Sequence, residues 1–286
     1  MLRDKSINSN IIYSIYALKF FCAIAIIVIH TLLYGKIYIM PLCRLAVPIF
    51  FIISGYFLLN DKNELSANII YSNLKKIIYI TVISSAIYVI FYCIIGKYNH
   101  IQYMNTKWWI YEILTGWGIC GHLWYLTAYI EVLVILLLVE KYNLYKVLYL
   151  SIPLLIILNL ILGSYSIFLG INNPYSALHT NFFVTGLPFV ALGMLVRKYK
   201  DFFITKTNNI IIILCVIIAY IECLYVITHE DYFRGVGDIF ICTPFAALAV
   251  YILCLKNENF GKRIARVGKK HSLFIFITIL LYFLFL

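Results

Sequence analysis

Residues 18–33 read LKFFCAIAIIVIHTLL, an apolar stretch that contains one lysine, Lys19, and one histidine, His30. Ionisable side chains at the depth of a lipid bilayer are costly, so they usually mark functional positions. The two residues are eleven positions apart. On an α-helix this is three turns plus about 20°, and about 16 Å along the axis. We therefore expect both side chains on one face of one helix, with a cation deep in the membrane and an imidazole near one end.

The rest of the chain is typical of a membrane protein. Its 286 residues are 64% hydrophobic and 12% charged, with a mean hydropathy of +0.94, which is too apolar for a soluble globular domain. We predict an all-α, polytopic transmembrane helical bundle of about nine spans, formed by a single membrane-embedded domain over 1–286. The predicted spans are roughly 11–33, 41–60, 77–95, 122–139, 147–163, 181–196, 209–228, 236–255 and 272–286. The last of these is marginal for crossing about 30 Å of hydrocarbon.

The basic residues give this topology an orientation. With the N-terminus in the cytoplasm, seventeen of the 23 Lys and Arg residues fall in cytoplasmic segments and five in outer ones, as the positive-inside rule expects. The same rule accounts for the net charge of +11, so nucleic-acid binding is not predicted. The topology predicts an outer layer of ionisable side chains, His30, Arg44 and His122, and a deeper layer with Lys19 and Ser54.

The cysteines do not indicate a metal site. All eight fall mostly inside or at the ends of apolar spans, none forms a C-x-x-C pair, and no Cys/His spacing is typical of zinc. We predict neither a metal nor a tightly bound cofactor. Residues 11–33 are too long, and too polar inside, for a cleaved signal peptide, so they are expected to remain as the first span.

Five motifs occur in a fixed order along the chain. They are Lys19 and His30 separated by ten residues, RLAVPIFFIISGYF from Arg44, HLWYL from His122, FVTGLPFVALG from Phe183, and GKKHSLFIFI from Gly268. Together they resemble the motifs of the acyltransferase-3 membrane proteins, which transfer acyl groups onto sugars of cell envelopes and antibiotics. The chain departs from that family in two respects: no His follows Ser272 closely, and the family usually has ten helices.

The resemblance implies a reaction and roles for three residues. The reaction is acyl transfer from a cytoplasmic acyl-CoA, with acetyl-CoA the expected co-substrate, to a hydroxyl of an envelope carbohydrate at the plasma membrane of a bacterium. His30 is the expected general base, and Lys19 would stabilise the thioester oxyanion or hold donor phosphate. His122 is expected as a catalytic partner or a substrate ligand; the alternative is an interfacial histidine beside Trp124.

Arg44 and Ser54 are candidate substrate-binding residues. Arg44 could bind an anionic acceptor or a carboxylate such as Glu112, or its side chain could extend to the lipid head groups. Ser54 could face the substrate, or it could pack against another helix together with Gly55.

Lys75 and Lys76, which precede the third predicted span, are candidates for binding the phosphates of the donor. Ordinary positive-inside charge is the alternative. Trp124 and Tyr125 of the HLWYL motif are candidate substrate-binding residues, because aromatic planes suit the apolar faces of sugar rings. An aromatic belt at the membrane surface would also explain the tryptophans.

Two other functions remain open. Some relatives resemble membrane modules of serine racemases, so the chain could transport a small solute such as an amino acid; discontinuous helices at the midplane would favour this. It could also be an inactive relative. The oligomeric state and the acceptor's identity are not predicted.

Overall fold

The computed structural model describes residues 12–31, 34–94, 106–117, 119, 121–170, 176–229 and 238–269. These residues are mostly helical and contain no β-strand; an isolated antiparallel bridge joins Leu59 and Leu65. The α-helices, in chain order, are α1 Tyr13–His30, α2 Lys36–Cys43, α3 Ala46–Leu58, α4 Ala67–Ile94, α5 Thr106–Thr115, α6 Trp124–Lys141, α7 Tyr145–Leu162, α8 Ser176–His179, α9 Leu187–Lys198, α10 Lys200–Lys206, α11 Asn209–Thr228, α12 Thr243–Lys256 and α13 262–269. Short 3₁₀ helices cover Gly121–Leu123 and Ser166–Leu169, and a π-helix covers Phe182–Gly186.

Among the described residues, five helical segments are long and apolar enough to cross a membrane: α1, α2 with α3, α4, α7 and α11. A sixth results if the π-helix with α9 and then α10, which are bent by 87°, form one span. The predicted span 122–139 corresponds to α6, which carries three charged residues, Glu131, Glu140 and Lys141. The predicted span 272–286 lies outside the described residues. The fold is thus the expected helical membrane type, while nine spans and a cytoplasmic N-terminus stay predictions.

Proline explains why the second apolar segment consists of two helices. In a continuous helix the residue at position 48 would donate its backbone N–H to the carbonyl of Arg44, but Pro48 has no N–H. The chain accordingly turns at Arg44 and Leu45, and Pro48 lies in the first turn of α3, where proline is tolerated. Gly35, with φ of 72°, provides the left-handed residue that starts α2. Arg44 is therefore at a helix junction and not inside a helix.

Helix α3 lies at the centre of the bundle and packs closely on α9. A methyl group at Gly55 would overlap the carbonyl of Val190, and one at Gly193 would overlap the carbonyl of Ile52. Small residues at such crossings let two helix backbones approach, which is how helices associate in a membrane. This contact confirms that Gly55 is a packing residue.

Helix α1 packs against α2, α3 and α12, and also against α13. At the α13 crossing, Gly268 lies so close to the carbonyl of Tyr16 that a methyl group there would overlap it. By contrast, α4 and α11 expose rows of large apolar side chains, such as Tyr79, Val82, Ile213 and Ile221. Such faces suit lipid, whereas most side chains of α3 and α9 are buried.

Candidate functional site

Lys19 lies between aromatic rings at one end of the bundle. Its Nζ is 5.8 Å from the ring centroid of Tyr16, on the same helix, and 5.6 Å from that of Phe57 on α3. The two rings stack on each other with their centroids 6.2 Å apart. These contacts explain how the membrane segment accommodates an ammonium group, because a cation is attracted to the face of an aromatic ring.

Two more lysines approach the same place. Lys269 of α13 lies with its Nζ 5.5 Å from the centroid of the Tyr16 ring, and the charge of Lys76 on α4 acts on Lys19. We call Tyr16, Lys19, Phe57, Lys76 and Lys269 the Lys19 cluster. Within the described part of the chain, the ion pairs Arg44–Asp238 and Lys200–Glu258 include none of its lysines. Positive charge that is concentrated without a carboxylate favours an anionic ligand.

A group of three hydroxyls, contributed by α3 and α6, lies beside α1 between Lys19 and His30. The Ser54 hydroxyl of α3 donates to the carbonyl of Phe50 at 2.9 Å, and it also makes hydrogen bonds with Tyr125 and Tyr129 of α6. The rings of the two tyrosines stack with centroids 6.4 Å apart. The structure thus brings together Ser54 and Tyr125, two of the predicted substrate-binding residues.

Arg44 forms an ion pair with a residue that the sequence did not single out. Its guanidinium contacts the carboxylate of Asp238, and the two side chains are 14% and 33% exposed. This is the carboxylate partner that was expected for Arg44, but Asp238 takes the place of the suggested Glu112. Glu112 accepts a hydrogen bond from the backbone N–H of Ile119 at 3.0 Å.

His30 and Lys36 belong to the same surroundings as Arg44. The charges of Lys36 and Arg44 both act on His30, and Lys36 donates a hydrogen bond to the carbonyl of Ile29. The predicted proximity of His30 and Arg44 is therefore present. The backbone of His122 lies in the 3₁₀ turn directly before α6, and its side chain lies outside the described residues.

A second histidine, His179, was missed by the sequence analysis. It is 2% exposed, and its carbonyl accepts hydrogen bonds of 2.6 Å from both Asn159 and Thr185. Burial, and then the nearby charge of Arg44, lower the pKa of the His179 imidazole to about 4. The ring is therefore neutral near pH 7. We call Arg44, Asp238, His30, Lys36 and His179 the Arg44 cluster.

The backbone beside Asp238 is held by polar side chains of two helices. Glu222 of α11 accepts hydrogen bonds from the Tyr165 hydroxyl at 2.5 Å, the N–H of Ile241 at 2.8 Å and the N–H of Cys242 at 2.7 Å. Burial and the Glu222 carboxylate raise the pKa of Tyr165, which therefore stays a hydrogen-bond donor. Glu222 lies within the apolar helix α11, and these three donors satisfy its carboxylate.

Three other predicted site residues are placed differently from expectation. Trp124 is only 6% exposed, and its ring packs against Phe51 with centroids 6.3 Å apart. Lys75 and Lys76 do not precede a helix, because α4 already begins at Ala67. Both are exposed, and Lys76 is the one whose charge reaches Lys19.

Asp238 and His179, which the sequence did not identify, belong to no local sequence pattern. Asp238 lies 194 positions from Arg44, and no motif connects them. His179 lies in a short polar segment between two apolar spans, which is where connecting loops usually occur. The spacing that did predict part of the site was that of Lys19 and His30 on α1. Within the described residues, no group of three or more His, Cys, Asp or Glu side chains could hold a metal ion.

Comparison with known families gives one result. A family model described as an acyltransferase domain matches residues 12–286. No curated protein and no solved structure matches the chain.

Proposed function

This chain belongs to the acyltransferase-3 family, and on that premise we propose that it is an integral membrane O-acyltransferase. In this proposal it moves an acyl group, with acetyl the expected one, from acyl-CoA to a hydroxyl of an envelope carbohydrate. The observation that carries the proposal is that α1 connects two polar clusters, with Lys19 in one and His30 in the other. The Lys19 cluster suits an anionic donor, and the Arg44 cluster holds the histidine expected to act as base.

The charge of the Lys19 cluster supports the donor. Coenzyme A is a polyanion, and lysine is a usual point-charge ligand for phosphate. The stacked rings of Tyr16 and Phe57 would also give its adenine an apolar surface. In this assignment Lys76 binds phosphate together with Lys19, and Lys75 lies next to it on the exposed side of α4.

A cavity elsewhere in the described residues is less suitable for the donor. It has a volume of about 440 Å³ and lies around the junction of α9 and α10, lined by Asp61, Asn63, Arg197, Lys198, Tyr199, Lys200, Asp201 and Phe202. Two of these residues are acidic, and Lys200 is paired with Glu258 at 2.7 Å. Its basic side chains are thus balanced by carboxylates, whereas neither ion pair of the described residues includes a lysine of the Lys19 cluster.

His30 is the proposed general base. A hydroxyl is a weak nucleophile until a base removes its proton, and imidazole is the usual base near neutral pH. The acceptor oxygen would attack the thioester carbonyl while its proton moves to His30. As the tetrahedral intermediate collapses, the carbon–sulfur bond breaks and the thiolate of coenzyme A leaves, to be protonated in turn. His122 is the proposed catalytic partner, and Trp124 a proposed substrate-binding residue.

The hydroxyls of Ser54, Tyr125 and Tyr129, which lie between the two clusters, would bind the reacting thioester. Tyr125 would donate a hydrogen bond to the thioester carbonyl oxygen, because a donor directed at that oxygen stabilises the charge that develops there. Ser54, whose own proton goes to the carbonyl of Phe50, would hold the Tyr125 hydroxyl in place. Lys19 would add its charge to the same oxyanion or hold phosphate. The positive-inside rule places the Lys19 cluster on the cytoplasmic side of the plasma membrane and His30 on the outer side.

Reconstitution in vesicles tests this function. The purified chain is inserted into liposomes with acetyl-CoA labelled in the acetyl group, and an envelope glycan from the same cells is added as acceptor. We expect labelled ester in the glycan, detected by mass spectrometry, and no label without the protein. The absence of ester would contradict the proposal. Movement of a solute across the vesicle without acetyl-CoA would identify a carrier instead.

A further inference from the structure

The segment that carries Asp238 is held at several points. Besides the two backbone N–H groups that bind Glu222, the carbonyl of Ile239 accepts a hydrogen bond of 2.6 Å from the buried hydroxyl of Ser164. The N–H of Phe240 donates to the Thr243 hydroxyl at 2.9 Å. Hydrogen bonds to a carboxylate are about twice as strong as neutral ones. Asp238 therefore has a defined place beside Arg44.

Among the described residues around Arg44, two cationic side chains face two carboxylates. Arg44 and Lys36 are positive, Asp238 and Glu222 are negative, and the His179 ring is neutral near pH 7. An anion that approached Arg44 would meet the carboxylate of Asp238 at the same place. A neutral hydroxyl compound meets no such repulsion and can hydrogen bond to either partner of the ion pair.

We propose that Asp238 determines acceptor specificity: by pairing with Arg44 it restricts the site to an uncharged hydroxyl compound and excludes anionic sugars. Glu222 and Ser164 act as positioning residues, because they hold the backbone that presents Asp238. This inference rests on the proposed acyltransferase function, and it names the class of acceptor which that function leaves open.

Competition between two matched acceptors tests the inference. Methyl glucoside and its uronic acid analogue, methyl glucuronide, are supplied together at equal concentration with acetyl-CoA, and the ratio of the two esters is measured by mass spectrometry. We expect the wild-type protein to favour the glucoside by at least tenfold. Asp238→Asn should shift the ratio towards the glucuronide by a similar factor. An unchanged ratio in this variant, or a wild-type preference for the glucuronide, would overturn the inference.

The second ion pair of the described residues supplies a control. Glu258→Gln removes the carboxylate that pairs with Lys200 and leaves the Arg44 cluster intact, so the ester ratio should stay at the wild-type value. Glu222→Gln weakens the bonds to Ile241 and Cys242 and should move the ratio part of the way towards that of Asp238→Asn. A purely structural role of Glu222 would lower the amount of folded protein and leave the ratio as it was.

A binding measurement separates this inference from the proposed function. If no ester forms with any protein, the acyltransferase proposal fails, and specificity is then read from thermal unfolding in detergent with each sugar at the same concentration. Methyl glucuronide should raise the unfolding midpoint of Asp238→Asn more than that of the wild-type protein. Equal shifts in the two proteins would contradict a selective role of Asp238 whether or not transfer occurs.

Discussion

The two polar clusters on α1 differ in how their charges are balanced. At the Lys19 cluster, Lys19 and Lys269 lie over the Tyr16 ring, and the charge of Lys76 acts on Lys19. Neither described ion pair includes these lysines. At the Arg44 cluster the guanidinium is paired with Asp238, whose backbone is in turn held through Glu222. The difference is consistent with the proposed function, in which a strongly anionic donor binds at one end and a neutral acceptor at the other. An acyl-CoA donor and a sugar hydroxyl have these properties.

Removal of the base should have the largest effect and would separate the two ends. We expect His30→Ala to lower the rate of acyl transfer by about 10²-fold or more, since general base catalysis contributes about 10²–10⁴-fold. Affinity for acetyl-CoA should stay unchanged, because the Lys19 cluster is intact. Ester formation in vesicles and equilibrium binding of acetyl-CoA measure the two quantities.

The matched control is His229→Ala, since His229 is exposed and stacks on Tyr225 at the end of α11. It should retain the wild-type rate. A wild-type rate in His30→Ala would show that His30 is not the base, and it would contradict a catalytic role of the Arg44 cluster.

Acid should weaken the Arg44 cluster through His179. The pKa of its imidazole is about 4 in the folded protein and about 6.5 in the unfolded chain, so the unfolded chain binds more protons between these values. The free energy of unfolding should therefore fall as pH falls from about 6.5 to 4, by up to about 3 kcal/mol from this group. His179→Gln cannot titrate, so its unfolding midpoint in detergent should depend less on pH. Parallel pH profiles for the two proteins would contradict the assignment.

A substitution in α3 should disturb both clusters together, because this helix follows Arg44 and carries Phe57. Gly55→Ala forces a methyl group against the carbonyl of Val190. Such overpacking costs about 1–3 kcal/mol of unfolding free energy, which a lower unfolding midpoint in detergent would show. Ile213→Ala, on the exposed face of α11, is the control and should have little effect. Wild-type stability of Gly55→Ala would mean that α3 and α9 are not in close contact.

The smallest effect concerns the donor end alone. Lys19→Met should weaken acetyl-CoA binding by about tenfold, the equivalent of about 1.4 kcal/mol, and Lys76→Ala by less, since its side chain is exposed. The weaker binding should raise the Michaelis constant for acetyl-CoA and leave the acceptor preference unchanged. Lys206→Ala, an exposed lysine at the end of α10, is the control. Unchanged donor affinity in Lys19→Met would contradict the assignment of the Lys19 cluster to an anionic donor.

Local patterns predicted part of this architecture. Hydropathy identified a helical membrane bundle, and the helical period placed Lys19 and His30 on one helix, since both depend only on residues near each other in the chain. Helix bounds were less accurate: α4 begins ten residues before the predicted span, because its first turns contain polar side chains and Lys75 and Lys76 that lower the local hydropathy.

Tertiary contacts could not be read in the same way. The ion pair of Arg44 with Asp238 and the hydrogen bonds of Glu222 join segments that are far apart in sequence, and no period or spacing encodes such pairs. His179 shows the same limit: its burial depends on Asn159 and Thr185, which belong to different helices. The pairing of Arg44 with Asp238 therefore became visible only in three dimensions.

The unbroken course of α1 has a consequence for the choice of donor. Eleven residues of continuous helix fix the separation of Lys19 and His30 at about 16 Å, and no proline or glycine between them allows it to change. A thioester whose phosphates lie too near its carbonyl could satisfy the lysines and still leave the acyl carbon short of the imidazole. Under the proposed function, the protein would thus select its donor by molecular length as well as by charge.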